Sequence, residues 1–227
     1  MKRALILMCL ALAGCGGDSG GGSTHPKTEW RIQLPINENG NFTGRYAQYP
    51  TPPDRPPYYV GTPRDSKFMN PGKPCATSPN SSGCRTELRH LIEWKTGTLR
   101  GKVALDRWSG EGEGNTSIIQ VCGKRIGCPA LMIKVRSDGQ VAWHTNNEKD
   151  GKKAGGSKGA FSERLVRGKA VGFNLHVDGA KSTLKLGDET QTIPIDPKAG
   201  PFHFKYGCYS SGRCEAQFND TKAIPNG

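Results

Sequence analysis

Short runs of alternating apolar and polar residues dominate the chain from residue 84 onward. Such runs are typical of β-strands, because successive side chains of a strand point to opposite faces of the sheet. Gly, Asp or Pro separates the runs, and Asp138-Gly139 and Asp178-Gly179 are typical of hairpin turns. The pattern predicts strands over residues 85–94, 98–107, 117–122, 131–137, 140–145, 170–178, 181–186, 190–195 and 202–209.

The rest of the chain gives little indication of secondary structure other than strands and loops. Residues 28–35 form a strand-like run, and residues 36–83 are rich in Pro, Asn, Gly and Ser. We expect mostly loops and short edge strands in the second segment, because proline cannot donate to a central ladder. Residues 149–158 (KDGKKAGGSK) predict a basic loop, with a flap over an anionic ligand as the alternative, and residues 161–167 predict at most one helical turn. These patterns together predict one all-β domain, a sandwich or jelly roll.

The first residues have the organisation of an export signal. A short basic start (MKR) precedes an apolar stretch, and the small residues of LAGC lead to Cys15. We interpret residues 1–14 as a lipoprotein signal peptide that is removed before Cys15, whose thiol then carries lipid; an ordinary secretory signal is the alternative. Residues 15–27 would be the lipidated cysteine and a flexible tether, and residues 28–227 the folded domain. The sequence therefore predicts an exported, lipid-anchored protein at the outer membrane or cell surface.

The exported part of the chain is basic. The whole sequence has 32 Lys and Arg against 20 Asp and Glu, and loss of residues 1–14 removes Lys2 and Arg3 and no acid, which leaves a net charge of +10. A basic exported domain commonly binds a polyanion, although the simpler interpretation is that the positive charge only keeps the protein soluble. Export favours an acidic glycan over nucleic acid, and neither a carboxylate cluster for metal nor aromatics interleaved with basic strands is present. We expect a monomer without a cofactor or metal, attached to a membrane only through its lipid.

Six cysteines remain after the signal peptide and the lipidated cysteine are set aside. An even number of cysteines in an oxidising compartment predicts disulfides, and these six fall into three close couples. A zinc site is the competing interpretation, but the sequence contains no CxxC and its histidines lie elsewhere. The candidate disulfides join Cys75 and Cys84, Cys122 and Cys128, and Cys208 and Cys214.

Four of the predicted strands carry polar residues along one face and apolar residues along the other. Each face alone is typical of an ordinary exposed sheet surface, for example a ladder of cross-strand ion pairs. If the four polar faces belong to one sheet, however, they form a cationic floor. The residues of these faces are Arg85, Glu87, Arg89, Gln120, Cys122, Lys134, Arg136, His203, Lys205 and Tyr209.

These residues resemble the motifs of polysaccharide lyase family seven, the alginate lyases. RTELR, at residues 85–89, resembles the family motif R-[ST]-E-L-R, and HFKYGCY, at residues 203–209, is similar to Y-F-K-A-G-x-Y. Residues 117–122 lie where the family has a Gln-Ile/Val-His motif, and the resemblance extends over about residues 28–219. It implies a β-jelly roll of two antiparallel sheets with a concave cationic cleft. It also implies β-elimination in an acidic uronate polymer, with alginate as the first expectation and internal cleavage as the mode.

The resemblance also implies roles for individual residues. In β-elimination a base removes the C5 proton beside the uronate carboxylate, an acid protonates the departing O4, and a C4–C5 double bond remains. Arg85 and Gln120 would neutralise that carboxylate, Tyr209 matches the catalytic tyrosine, and Glu87 would orient the arginines. The residues expected to bind the substrate and its flanking uronates are Glu87, Arg89, Lys134, Arg136 and Lys205.

The chain departs from the family pattern at Cys122, which stands where the family has its histidine. Three interpretations follow. In the first, Tyr209 acts as both base and acid in a syn elimination, which would restrict the uronate epimer that is cut. In the second, His203, which lies on the same predicted face, supplies the imidazole. In the third, the protein is a catalytically inactive, glycan-binding lipoprotein of the same fold.

Overall fold

The computed structural model describes residues 29–50, 54–77, 83–109 and 115–226. The predicted signal peptide, the lipidation site at Cys15 and the tether lie outside the described residues. Within the described part of the chain, no helix is long and apolar enough to cross a bilayer.

The described residues form two antiparallel sheets, which confirms the all-β jelly-roll prediction. The strands are β1 Trp30–Gln33, β2 Gln48–Pro50, β3 Tyr59–Gly61, β4 Ser66–Asn70, β5 Cys84–His90, β6 Thr96–Arg107, β7 Thr116–Gly123, β8 Gly127–Val135, β9 Gln140–Lys149, β10 Lys152–Arg164, β11 Val171–Asp178, β12 Lys181–Leu186, β13 Glu189–Pro194, β14 Phe202–Ser210 and β15 Cys214–Asn226. A short 3₁₀ helix, Pro197–Ala199, precedes β14.

The two sheets pack face to face around an aromatic core. The order of the first, which we call the cleft sheet, is β10-β9-β8-β7-β14-β5-β1-β2, and that of the second is β13-β12-β11-β6-β15-β4-β3. Tyr206 of β14 meets Phe68 and Phe218 of the second sheet, with ring centroids 5.7 and 4.9 Å away, and all three side chains are fully buried. Because side chains alternate along a strand, the neighbours of Tyr206 point to the outer face of the cleft sheet.

Both predicted hairpin turns are confirmed, whereas two other local predictions are wrong. Asp138-Gly139 joins β8 to β9 and Asp178-Gly179 joins β11 to β12. Residues 149–158 are not a loop, because β9 runs to Lys149 and β10 starts at Lys152, so that only Asp150-Gly151 turns, at φ of 52° and 74°. Residues 161–164 lie in β10 rather than in a helical turn, since pairing with β9 overrides their weak local preference.

All three predicted disulfides are present. Cys75–Cys84 ties the preceding loop to β5, Cys122–Cys128 crosses the hairpin of β7 and β8, and Cys208–Cys214 links β14 to β15. The last of these joins the two sheets, because β14 and β15 belong to different sheets. The disulfides thus brace the end of β5, the β7–β8 hairpin and the end of β14, three strands that carry predicted site residues.

A glycine in β14 permits the close approach of β5. Gly207 has a φ of 137°, and a Cβ added there would lie 2.3 Å from the carbonyl oxygen of Thr86. We therefore expect Gly207→Ala to destabilise the fold by about 2–4 kcal/mol, through backbone strain and steric overlap. Urea denaturation would measure the change, with Gly172→Ala in β11 as the control, because a Cβ there meets no atom within 4 Å. Equal stability of the two variants would contradict the prediction.

Candidate active site

The strand register brings the predicted site residues together on the outer face of the cleft sheet. β14 lies between β5 and β7, so that Lys205 has Arg89 on one side and Gln120 on the other. Tyr209, further along β14, lies opposite Arg85 of β5. The polar faces of β5, β7 and β14, which are far apart in sequence, are thus adjacent in one sheet.

A cleft of about 450 Å³ opens above these strands. Its lining includes Arg85, Gln120, Lys205 and Tyr209 together with the outer end of the β7–β8 hairpin. The Arg85 guanidinium carbon lies 5.2 Å from the ring centre of Tyr209 and 4.5 Å from that of Tyr46. Contact with two aromatic rings holds the guanidinium in place at the cleft.

Glu87 organises the floor of the cleft. Its carboxylate is buried, accepts a hydrogen bond from Gln120 Nε2 and accepts another from Lys205 Nζ at 2.7 Å. The expectation that Glu87 orients the arginines therefore needs correction, because its recorded partners are Gln120 and Lys205. Burial also makes Glu87 a residue that positions its neighbours rather than one that contacts a flanking uronate. Since a carboxylate only accepts, the contact fixes which end of the Gln120 amide faces Glu87.

Two basic groups on the cleft sheet have lowered pKa values. Burial lowers the pKa of Lys205 to about 8; Glu87 opposes this shift, whereas the charges of Arg85 and Arg89 add to it. On β9, burial and the charges of Lys134 and Lys153 lower the pKa of His144 to about 4. Burial disfavours the charged form of both groups, and the neighbouring cations add a smaller contribution to each shift.

The position of the expected histidine is occupied by a disulfide. Cys122 of β7 is buried and bonded to Cys128, which is exposed at the cleft. His203 pairs with Cys122 across the strands, and one of its ring nitrogens lies within 4.8 Å of both sulfur atoms. These three residues are grouped as metal ligands would be, but the sulfurs are joined to each other and provide no thiolate.

His203 lies on the predicted face but is 7% exposed. Burial, followed by the charges of Arg89 and Lys205, lowers its pKa to about 3. The imidazole is therefore neutral at physiological pH and is a weak base. It does not belong to the residues that line the cleft.

The remaining predicted binding residues lie at different distances from the cleft. Arg89 is half-buried beside Lys205, and Arg31 of β1 lies next to it. Lys134 of β8 is half-buried on the cleft face, where burial and the charge of Arg136 lower its pKa. Arg136 follows the end of β8, is exposed and donates a hydrogen bond to Gln140.

The sequence analysis missed Tyr46, Met132 and Lys153. Met132 and Lys153 line the cleft, and Tyr46 covers Arg85. Tyr46 also lines a second cleft of about 570 Å³. The basic and aromatic residues of GRYAQYP, at residues 44–50, could have predicted that this segment contributes to the site. The proline-rich composition around them favoured its interpretation as a loop instead. The second cleft is lined by Arg31, Asn37, Glu38, Asn39, Arg45, Tyr46, Gln48 and Pro50.

Comparison with known families gives one match over most of the chain. The family described as alginate lyase matches residues 25–224, a range that includes both sheets. Among curated protein sequences, no relative matches.

Solved structures of alginate lyases share the fold. The enzyme from Klebsiella pneumoniae superposes with a TM-score of 0.72 at 15% identity, covering 88% of this chain and 96% of that one. The alginate lyase from Pseudomonas aeruginosa gives 0.71 at 15% identity, covering 88% of this chain and 100% of that one. The alginate lyase from Corynebacterium sp. gives 0.66 at 14% identity, covering 87% and 94%.

Proposed function

The chain belongs to the alginate lyase family, and from this premise we propose that it cuts alginate by β-elimination in the cleft lined by Arg85, Gln120 and Tyr209. The observation that carries this assignment is the convergence of these three side chains and Lys205 on one cleft of the outer sheet face. A guanidinium, an amide and a phenol are the groups that the reaction needs around a uronate carboxylate and its C5 proton.

Neutralising the carboxylate is the first task of the site. The C5 proton is weakly acidic, and its removal places negative charge on the adjacent carboxylate. Arg85, held between two rings, and Gln120, held by Glu87, are donors whose geometry is fixed before substrate arrives. The second N–H of the Gln120 amide is directed by the bond that the first makes to Glu87. Tyr209 then carries the proton transfer.

The extent of the binding surface supports internal cleavage of the polymer. Tyr46 lines the second cleft, and its ring contacts Arg85, which lines the first. Arg31 and Arg45 provide cations in the second cleft, so that a polyuronate can bind on that side of the reaction centre as well. Uronates bound on both sides of the cut are the requirement for endolytic action.

Export and lipid anchoring are part of the same proposal. The LAGC tetrad ending at Cys15 supports them, and so do the three disulfides, which form and persist in oxidising compartments. A lipid-anchored lyase would meet the polymer outside the cytoplasm.

The test mixes purified residues 26–227 with alginate and follows the ultraviolet absorbance of unsaturated uronate ends. We expect absorbance to rise and viscosity to fall early, as internal cleavage requires. Alginate whose carboxyl groups have been reduced to alcohols is the matched control, and it should bind weakly and remain uncut, because Arg85 and Gln120 then have no carboxylate to neutralise. Binding of native alginate without unsaturated ends would overturn the assignment.

A glycan-binding role without catalysis is the second candidate, and the replacement of the family histidine by Cys122 favours it. The same assay separates the two. Retained binding with a flat absorbance trace supports the binding protein, whereas product formation excludes it.

A further inference from the structure

The hairpin of β7 and β8 places two sulfur atoms beside a buried imidazole. Cys122 pairs with His203 across β7 and β14, and the disulfide brings Cys128 to the same point. Both sulfurs and one ring nitrogen of His203 lie within 4.8 Å of one another. Because His203 is far from both cysteines in sequence, the strand register of the folded protein creates this group, which we call the sulfur–imidazole cluster.

His203 has an unusual environment for a buried polar side chain. It is 7% exposed, and neither ring nitrogen has a hydrogen-bond partner among the described residues. A buried polar group without a partner costs free energy, and most such groups in proteins are satisfied by another group, a water or an ion. The ring nitrogen beside the two sulfurs is therefore available as a metal ligand.

The disulfide of the cluster is open to reduction at one of its sulfurs. Cys128 is exposed and lines the cleft, whereas Cys122 and the cysteines of the other two disulfides are buried or partly buried. A thiolate of a dithiol can attack Cys128 Sγ, so that the disulfide bond breaks and its electron pair leaves on Cys122 Sγ. The second thiolate of the dithiol then displaces Cys128 Sγ, and the reductant leaves as a disulfide. A newly made chain holds the same two thiols before the disulfide forms.

The reduced cluster has the ligands that thiophilic divalent cations prefer, namely thiolate and imidazole. Two thiolates and one imidazole give Zn²⁺ three protein ligands, and water that enters from the cleft completes a tetrahedron. The two thiolates cancel the charge of the ion. The positive charges of Arg89 and Lys205, which act on His203, therefore do not exclude it.

The end of the hairpin has room for the geometry of a metal site. With Zn–S bonds of about 2.3 Å, the two sulfurs of a tetrahedral site lie about 3.8 Å apart, so that they must separate after reduction. Cys128 is at the exposed end of the hairpin, and even a Cβ added to its neighbour Gly127 would meet no atom within 4 Å. Movement of Cys128 towards the cleft thus meets little resistance.

We propose that the reduced protein binds one thiophilic divalent cation, such as Zn²⁺, through Cys122, Cys128 and His203 at the edge of the cleft. The disulfide and the metal site are alternative states of the same two sulfurs. While the disulfide is formed the ion does not bind, because a disulfide sulfur is not a thiolate. The site does not depend on the proposed lyase function, since none of its three ligands has a part in that reaction.

The test reduces the purified protein with a dithiol, removes the reductant without air and titrates with Co²⁺, whose absorption bands report tetrahedral thiolate coordination. Mass spectrometry of alkylated peptides verifies that Cys122 and Cys128 are free. We expect one Co²⁺ to bind per chain and to be displaced by Zn²⁺, and we expect no such bands from the protein in its disulfide form. Absence of the bands from protein in which both cysteines are free would overturn the proposal.

Variants distinguish the cluster from the other thiols and histidines of the chain. Cys122→Ser with Cys128→Ser keeps every other cysteine and should abolish the bands. His203→Phe keeps both sulfurs and should weaken Co²⁺ binding by at least about 100-fold, because loss of even an outer partner of a metal costs about 10- to 100-fold. His176→Phe is the control, since it removes a histidine from β11 of the other sheet and should bind Co²⁺ as the unchanged protein does.

Thermal unfolding verifies that each variant is folded, and His203→Leu gives the same test if the larger ring of phenylalanine disturbs the core. Undiminished Co²⁺ binding in the double serine variant would show that other thiols hold the ion. Undiminished binding without His203 would show that the imidazole is not a ligand. Either result would contradict the proposed site.

Discussion

Replacing Tyr209 by Phe should lower the rate of unsaturated-end formation on alginate by about 10²- to 10⁴-fold, the usual range for loss of a group that transfers a proton. Tyr209 lines the cleft beside Gln120 and Lys205, and its ring lies against Arg85. The phenylalanine ring keeps that contact and removes only the hydroxyl. We therefore expect the affinity for alginate, measured by calorimetry, to change much less than the rate.

Tyr46→Phe is the matched control for this experiment. Its ring lies 4.5 Å from the same guanidinium, and its hydroxyl accepts a hydrogen bond from Gln33 Nε2 at 3.1 Å. Loss of one such bond is worth about 1 kcal/mol, which corresponds to less than a tenfold change. If both variants lose activity to the same extent, Tyr209 acts by positioning the Arg85 guanidinium, and the prediction that it transfers a proton is wrong.

The strand pattern predicted the site because strand geometry is strict. Residues two apart on a strand share a face, so that Arg85, Glu87 and Arg89 could be grouped without a structure, as could Lys205 and His203. Register between strands could not be read in the same way. Nothing local to β5 or β14 specifies that Lys205 lies opposite Arg89, and the resemblance to a known family supplied that step.

The role of Glu87 shows what a one-dimensional pattern misses. On its own strand, its nearest charged neighbours are the arginines, and for this reason it was expected to orient them. In the folded protein the deciding contacts come from β7 and β14, more than 30 residues away in sequence, as Gln120 and Lys205 supply the donors. Likewise, the burial of His203 depends on its neighbours, and no feature of its own strand predicts it.

Turn chemistry explains both a success and a failure in the prediction of strands. The Asp-Gly pairs at 138–139 and 178–179 were recognised as hairpins, whereas the equivalent pair at 150–151 was hidden by the lysines and glycines around it. Its two positive φ angles are those of the turn that Asp-Gly favours. Strand β15 was also missed, because its polar residues and its position after the last motif weaken the alternating signal.

The buried pair of Glu87 and Lys205 should dominate the response of the fold to single substitutions. Lys205→Met leaves the Glu87 carboxylate buried without its cation, and we expect a loss of about 3–5 kcal/mol in the free energy of unfolding. Glu87→Gln leaves the Lys205 ammonium buried in the same way. Urea denaturation followed by tryptophan fluorescence would measure both changes.

The double variant Glu87→Gln with Lys205→Met measures the interaction between the two residues. Because neither buried charge remains, its loss of stability should be smaller than the sum of the two single losses by at least about 2 kcal/mol. Lys124→Met is the control, since its ammonium contacts Glu93 at 2.9 Å but both side chains are exposed, and removal of such a pair costs about 0–1 kcal/mol. Additive losses in the double variant, or a Lys205→Met loss no larger than that of Lys124→Met, would show that Glu87 and Lys205 do not act as a buried ion pair. The floor that holds Gln120 would then depend on other contacts.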